Sequence, residues 1–179
     1  MSVDASEIKI RRAEIGEEET LAAIGAATFL EAFPFDIKGP ALVEHCRVQH
    51  SVEVYRKFLE ASDPRYACWL VEYAPTSAPI GYAVACPPDL PQETGENDIE
   101  LKRIYVFSRF HGTGAGKELN RLVDLHGQSL NCPKIFLGTY EENHRAVAFY
   151  KREGYAQVGT RQFQVGEEVY DDIVMAKSL

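Results

Sequence analysis

Residues 109–119 read "RFHGTGAGKEL", three glycines within five positions followed at once by Lys117. A glycine-rich turn that runs into a helix offers an anion free backbone N–H groups and the positive end of the helix dipole. Three patterns compete for this turn. A Walker-type phosphate loop needs G-x-x-x-x-G-K-[ST], but counting back from Gly116-Lys117 puts His111 at the first glycine and Glu118 at the Mg²⁺-binding hydroxyl. A dinucleotide fingerprint needs G-x-G-x-x-G, and here Lys117 takes the place of the third glycine. The pattern [RQ]-x-x-G-x-G is met by Arg109, Gly112 and Gly114. The segments on either side have to decide.

The loop is preceded by "IELKRIYVF" (99–107), a strand whose apolar parity switches between Leu101 and Ile104. One extra residue in a strand flips the following side chains to the other face, so the switch predicts a β-bulge near Lys102 and Arg103. Downstream, Ala115 to Leu130 reads as a helix with Leu119, Leu122, Val123 and His126 on one stripe, ended by Asn131 to Pro133. "KIFLGTY" is the next strand, and "NHRAVAFYKREGY" is a helix capped by Asn143 and stopped by Gly154. The remaining residues give two strands about a turn at Gly166. Upstream, "EIKIRRAE" alternates Ile8 and Ile10 with charged neighbours, a first strand. From Glu17 to Phe33 the period becomes helical, and two shorter helices follow over Ala41 to Gln49 and Val52 to Ala61. "YACWLVEY" and "IGYAVAC", separated by "APTSAP", predict an antiparallel hairpin, and "PPDLPQETGEND" is a surface loop.

The bulk numbers exclude several classes. A chain of 179 residues is one domain of ordinary size, expected to span 1–179. Hydrophobic content of 45% with 26% charged residues is that of a soluble globular protein, and no apolar run approaches the ~20 residues of a membrane span. The opening "MSVDASEIKIRRAE" lacks the apolar middle of a signal peptide, so the cytoplasm is the expected compartment. A net charge of −8 argues against a nucleic-acid partner and mildly favours a cationic substrate. Cys46, Cys68, Cys86 and Cys132 form no C-x-x-C pair and read as buried free thiols. In "HCRVQH" Cys46 and His50 share a helix face while His45 points elsewhere, too few ligands for a metal, so none is expected.

The element order is that of an α+β fold around one mixed sheet. "ELKRIYV", "RFHGTGAGK", "FLGTY" and "ENHRAVAFYKREGY" together resemble the signature motifs of the GNAT superfamily of N-acetyltransferases. "ATFLEAF", "WLVEY…PIGYAVACPP" and "DDIVMAKSL" look most like its PaiA-like, spermidine/spermine acetyltransferase-like branch. The resemblance implies a mostly antiparallel sheet, splayed in the middle, with helices on both faces. It further implies that the loop holds the pyrophosphate of acetyl-CoA, without metal, through Gly112, Thr113, Gly114, Ala115, Gly116 and Lys117, with Arg109 adding charge. The pantetheine arm pairs with Ile104 and Val106 and contacts Asn143, and the N–H of Ile104 or Tyr105 faces the thioester oxygen.

In catalysis the resemblance makes Tyr150 the acid that protonates the thiolate. It makes Glu100 the base, directly or through water; the alternative is that Glu100 is a solvated edge residue. Glu31 and Phe35, with Phe29 and Phe33, fall in the segment that shapes the acceptor site. The implied reaction is direct acetyl transfer to a small primary amine, with a polyamine as one acceptor, and no nucleic acid or membrane involved. A non-catalytic acyl-CoA-binding regulator, an acetyltransferase for a peptide or protein amine and a nucleotide-binding protein stay open, as does a homodimer. The chain departs from the branch at His111 and at Tyr140, where tryptophan is common, and the second change puts the acceptor in doubt.

Overall fold

Alternating apolar and charged residues make β1 (Ile8–Arg12), and an acidic first turn carrying Glu18 and Glu19 opens α1 (Glu18–Ala32). A computed structural model describes residues 4–179; the first three residues of the expected 1–179 domain lie outside the described residues. Pro40 sits in the first turn of α2 (Gly39–Gln49), and the Ser51 hydroxyl accepts the Val54 N–H to cap α3 (Val52–Glu60). The hairpin of β2 (Ala67–Tyr73) and β3 (Ala78–Cys86) leads into β4 (Ile99–Val106) and α4 (Ala115–Ser129). The chain closes with β5 (Lys134–Tyr140), α5 (His144–Arg152), β6 (Ala156–Val165) and β7 (Glu168–Ser178).

The seven strands form one sheet in the order β1-β2-β3-β4-β5-β7-β6, and every pair is antiparallel except β4 with β5. On one face Leu119 and Val123 of α4 pack against Trp69, Val71, Ile99, Leu101 and Met175, with Val147 and Phe149 of α5 beside them. On the other face Leu21 and Ile24 of α1 and Tyr55 of α3 cover Leu70, Tyr82 and Val84. This is the expected α+β architecture with helices on both faces. Among the described residues no helix is long and apolar enough to cross a membrane.

Two features of β4 shape the cleft. Its register with β3 steps from Val84↔Arg103 to Ala85↔Leu101, so Lys102 is an extra residue. The bulge expected from the parity switch is therefore present, and it keeps Ile99, Leu101, Ile104 and Val106 in the core under α4. Glu100, Arg103 and Tyr105 share the opposite face of the strand. Second, β4 pairs with β5 only at Ile99↔Ile135 and Glu100↔Phe136, and past that point the strands part.

Candidate active site

The parting of β4 and β5 opens a cavity of about 880 Å³ that passes from the α4–α5 face of the sheet to the α1–α2 face. That volume is what a ligand of cofactor size needs. At one end stands the glycine loop. Gly112 and Gly114 take φ of 89° and 87°, a left-handed conformation that residues with a Cβ adopt at a cost. Gly114 is the N-cap of α4 and carries no side-chain cap. The first-turn N–H groups at Ala115, Gly116 and Lys117 therefore have no carbonyl one turn back and no side chain to satisfy them. Gly112, Gly114, Ala115, Gly116 and Lys117 all line the cavity, and Arg145 and Arg152 of α5 add positive charge to the same wall.

Two residues expected in this cradle turn away. The Thr113 hydroxyl donates to the Phe110 carbonyl (2.8 Å), and the Arg109 guanidinium lies over the Phe107 ring (5.7 Å); neither is among the cavity's walls. His111 closes the loop onto the strand through Nε2 and the Val106 carbonyl, 2.8 Å apart.

In the wedge, Ile104, Tyr105 and Val106 form one wall. Asn143 uses Oδ1 to accept the Ala146 N–H (3.1 Å), the expected cap, and Nδ2 is the atom left for a ligand. Tyr150 lines the wedge from α5 at 8% exposure, its ring wedged between Phe149 and Tyr155 at 5.4 and 5.7 Å. Burial raises its phenol above the ordinary value, so at neutral pH it stays protonated, a donor rather than a base.

Glu100 is not a solvated edge residue. It is 2% exposed because β4 is an inner strand here, and its Oε2 accepts the Asp89 N–H at 2.8 Å. Glu31, at the end of α1, accepts from the backbone N–H and the hydroxyl of Ser108 (2.8 and 3.0 Å) and lines the cavity. Phe35 does not: it is 98% exposed in the turn between α1 and α2, outside the cavity's walls. Helical spacing brings Phe29 and Phe33 to the site instead, because Phe35 lies beyond the end of α1.

His45 needs a correction. Helical spacing placed it away from Cys46 and His50, but α2 ends at Gln49, and the chain turns at His50 so that its ring lies 5.9 Å from His45. Both rings pack on Phe29, at 4.4 and 5.4 Å, and both line the cavity. Cys46 points instead to the Ala26 carbonyl. Burial first, and the Arg103 charge second, hold His45 at about 4 and His50 at about 3, so both are neutral at pH 7. His50 Nδ1 lies 2.9 Å from the Tyr55 hydroxyl. Across the cavity, Asp172 of β7 accepts from Arg161 Nε of β6 (3.0 Å). A Cβ at Gly138 would fall 2.5 Å from Arg161 Cζ, so only glycine lets that guanidinium lie over β5.

Residues 31–155 match the sequence profile of the Acetyltransferase (GNAT) family, more than half of the chain. The chain belongs to the GNAT family. An uncharacterised N-acetyltransferase of Mycobacterium tuberculosis H37Rv is 28% identical over 163 residues, 91% of this chain and 98% of that protein. Spermine/spermidine N(1)-acetyltransferase of Bacillus subtilis is 29% identical over 83 residues, 46% of this chain and 54% of that one. Among solved structures, the PaiA N-acetyltransferase of Thermoplasma acidophilum in complex with coenzyme A superposes with a TM-score of 0.77 at 18% identity, covering 96% of this chain and 99% of that one. The yncA putative acetyltransferase of Salmonella typhimurium with acetyl-CoA gives 0.70 at 16% identity, over 96% and 94%.

For a GNAT acetyltransferase, the residues that sequence reasoning passed over lie mostly at the acceptor end. Arg103 follows from the bulge, which restores it to the face of Glu100. His45 and His50 lie at the end of α2 while Arg161, Phe163, Tyr170 and Asp172 lie on the β6–β7 hairpin far downstream, and no local signal joins the two groups. Arg145 and Arg152 sit seven apart on α5, a spacing that puts both on one helix face.

Proposed function

We propose that this GNAT acetyltransferase moves acetyl from acetyl-CoA directly to a primary amine, both held in one cavity. The observation that carries the reading is the meeting of three parts in the wedge: the unpartnered N-terminus of α4, the open side of β4 past its bulge, and the protonated phenol of Tyr150. When bound, acetyl-CoA supplies the activated acyl group as a thioester.

The chain's own residues do the rest. Ala115, Gly116 and Lys117 receive the pyrophosphate on their N–H groups, and Gly112 and Gly114 let the backbone come close. The wedge takes the pantetheine arm along β4, where Ile104 and Val106 offer the groups that β5 no longer reaches, and Asn143 adds an amide donor. An N–H at Ile104 or Tyr105 polarises the carbonyl, an effect worth about 3 kcal/mol for a preorganised donor. An alkylamine is almost wholly protonated at pH 7, so attack needs a base. Glu100 accepts that proton, directly or through water. The amine nitrogen bonds to the acyl carbon, the carbon–sulfur bond breaks, and Tyr150 gives its proton to the departing sulfur. The second proton that the nitrogen sheds on becoming an amide passes through water to restore the phenol. Burial raises the proton affinity of a thiolate in this wall as it does that of the phenol, which keeps donor and acceptor matched.

Titration calorimetry with acetyl-CoA and with ATP tests the donor, and a thiol-release assay over polyamines, amino acids, peptides and aminoglycosides tests the transfer. Acetyl-CoA heat without Mg²⁺, and thiol release with at least one amine, are expected. Mg²⁺-dependent ATP heat with none from acetyl-CoA overturns the reading. Acetyl-CoA binding without release from any amine leaves a regulator. A polyamine acceptor is the second reading, favoured by Glu31, Asp36 and Glu100 at the acceptor end and by what the Bacillus subtilis relative's name says it acts on.

A further inference from the structure

The acceptor half of the cavity contains a cation whose partner is missing. Of the three basic side chains on that wall, Arg161 is paired with Asp172 at 3.0 Å and Lys102 with Asp89 at 3.8 Å. Arg103 forms no ion pair with any described residue; its guanidinium lies over the rings of Tyr55 and Phe58, at 5.3 and 5.5 Å. Its Nη1 is shielded from solvent and finds no hydrogen-bond partner among the described residues. The polar groups around it are the phenols of Tyr55, Tyr82 and Tyr105 and the imidazoles of His45 and His50, all uncharged at neutral pH. A guanidinium never loses its proton in such a place, and a buried charge without a counter-ion is costly.

Three positions away on the same face stands the opposite case. Glu100 is buried, with a backbone N–H on one oxygen and no cation among the described residues. The bulge at Lys102 is what brings the two to one face, with roughly 7–10 Å of strand between them. That span suits two long side chains closing on a ligand whose own charges lie a few bonds apart. A polyamine satisfies Glu100 and sets a second ammonium against Arg103; an amine without other charge satisfies one of the pair only.

We propose that the acceptor is an amino carboxylate, its amine received beside Glu100 and its carboxylate by Arg103. The assignment rests on the acetyl-transfer reading and refines its substrate class. The product is the N-acetyl amino acid, with one proton released from the ammonium and the thiol of CoA formed.

The test compares charge-matched pairs on the parent enzyme saturated with acetyl-CoA, reading thiol release and acetylated product. Glycine, β-alanine, 4-aminobutyrate, lysine and phenylalanine are set against methylamine, ethylamine, propylamine, cadaverine and phenethylamine, with spermidine beside them. The best carboxylate should exceed its decarboxylated partner in kcat/KM by roughly 100-fold, since a site built around a charged group rejects the analogue lacking it. Arg103→Met should bring that ratio close to one, and Arg103→Lys should leave it in between; acetyl-CoA affinity reports whether each variant is folded. Spermidine or a plain amine turned over as well as the best carboxylate overturns the assignment and leaves acetyl transfer standing. A ratio that survives in folded Arg103→Met overturns it too, and if that variant does not fold, the parent's ratio decides. Acetyl-CoA binding with no release from any amine overturns the transfer reading and this assignment together.

Discussion

Tyr150 illustrates how one side chain separates chemistry from packing. Its ring is wedged between Phe149 and Tyr155, so Tyr150→Phe keeps those contacts and removes the hydroxyl alone. The single-turnover rate should fall by about 10²-fold while acetyl-CoA affinity stays put, because general acids typically contribute that much. Equal rates at matched occupancy remove Tyr150 from the mechanism. Gly114 is the complementary case. No atom lies within 4 Å of where its Cβ would stand, so a side chain there has room, but φ of 87° strains any L-residue. Gly114→Val should lose about 1–2 kcal/mol of stability in urea titrations. It should lose acetyl-CoA affinity by far more than that strain explains, and parent-like affinity places the anion elsewhere. Both positions on the cavity wall were marked in the sequence, Gly114 by local glycine spacing and Tyr150 by the motif resemblance of its helix. The place of Phe35 was not: whether an aromatic two residues past a helix end faces in or out depends on how the turn folds.

At the scale of elements, the end of α2 is where local reasoning failed, and it carries a pH dependence. The sequence pattern ends the helix at Gln49, as the structure does, but it set His50 on one helix face with Cys46 and away from His45, whereas the chain turns the His50 ring into the cavity beside His45. His45 and His50 are pushed down to about 4 and about 3 in the folded protein, from about 6.5 in the unfolded chain. Between those values the unfolded chain binds more protons, so stability rises with pH there. Their contribution is fully present above pH 6.5 and falls as pH drops toward 4. It is on the order of a few kcal/mol in all, since His45 is only half-buried. Urea midpoints at pH 7.5, 6 and 5 check this, and His50→Gln should flatten the slope; an unchanged slope moves the acid sensitivity to other groups. The bulge in β4, by contrast, was readable from the parity switch between Leu101 and Ile104, because a strand's two-residue period records every inserted residue.

Over the whole molecule, net charge and cavity charge point in opposite directions. The chain carries −8, yet Lys117, Arg145 and Arg152 collect where the loop and α5 meet. Salt screens such long-range attraction within about 10 Å at 0.1 M. Raising salt from about 20 to about 300 mM should therefore weaken acetyl-CoA several-fold and leave an uncharged pantetheine thioester nearly unaffected. Equal loss for both ligands excludes a steering role for these cations. The succession of strands and helices follows from the sequence pattern, but the order of strands in the sheet and the acceptor wall do not. The wall is assembled from α1, α2, β4, β6 and β7, and only the closed fold puts those segments side by side.

The early parting of β4 from β5 has a further consequence. Strand edges inside a sheet are a hazard, since unpaired backbone groups recruit other chains and seed aggregates. Here two such edges face each other within one molecule. Residues of α4, α5 and α1 flank the V between them. The gap thus keeps both unpaired edges inside the fold, where another chain meets the flanking helices before it meets them.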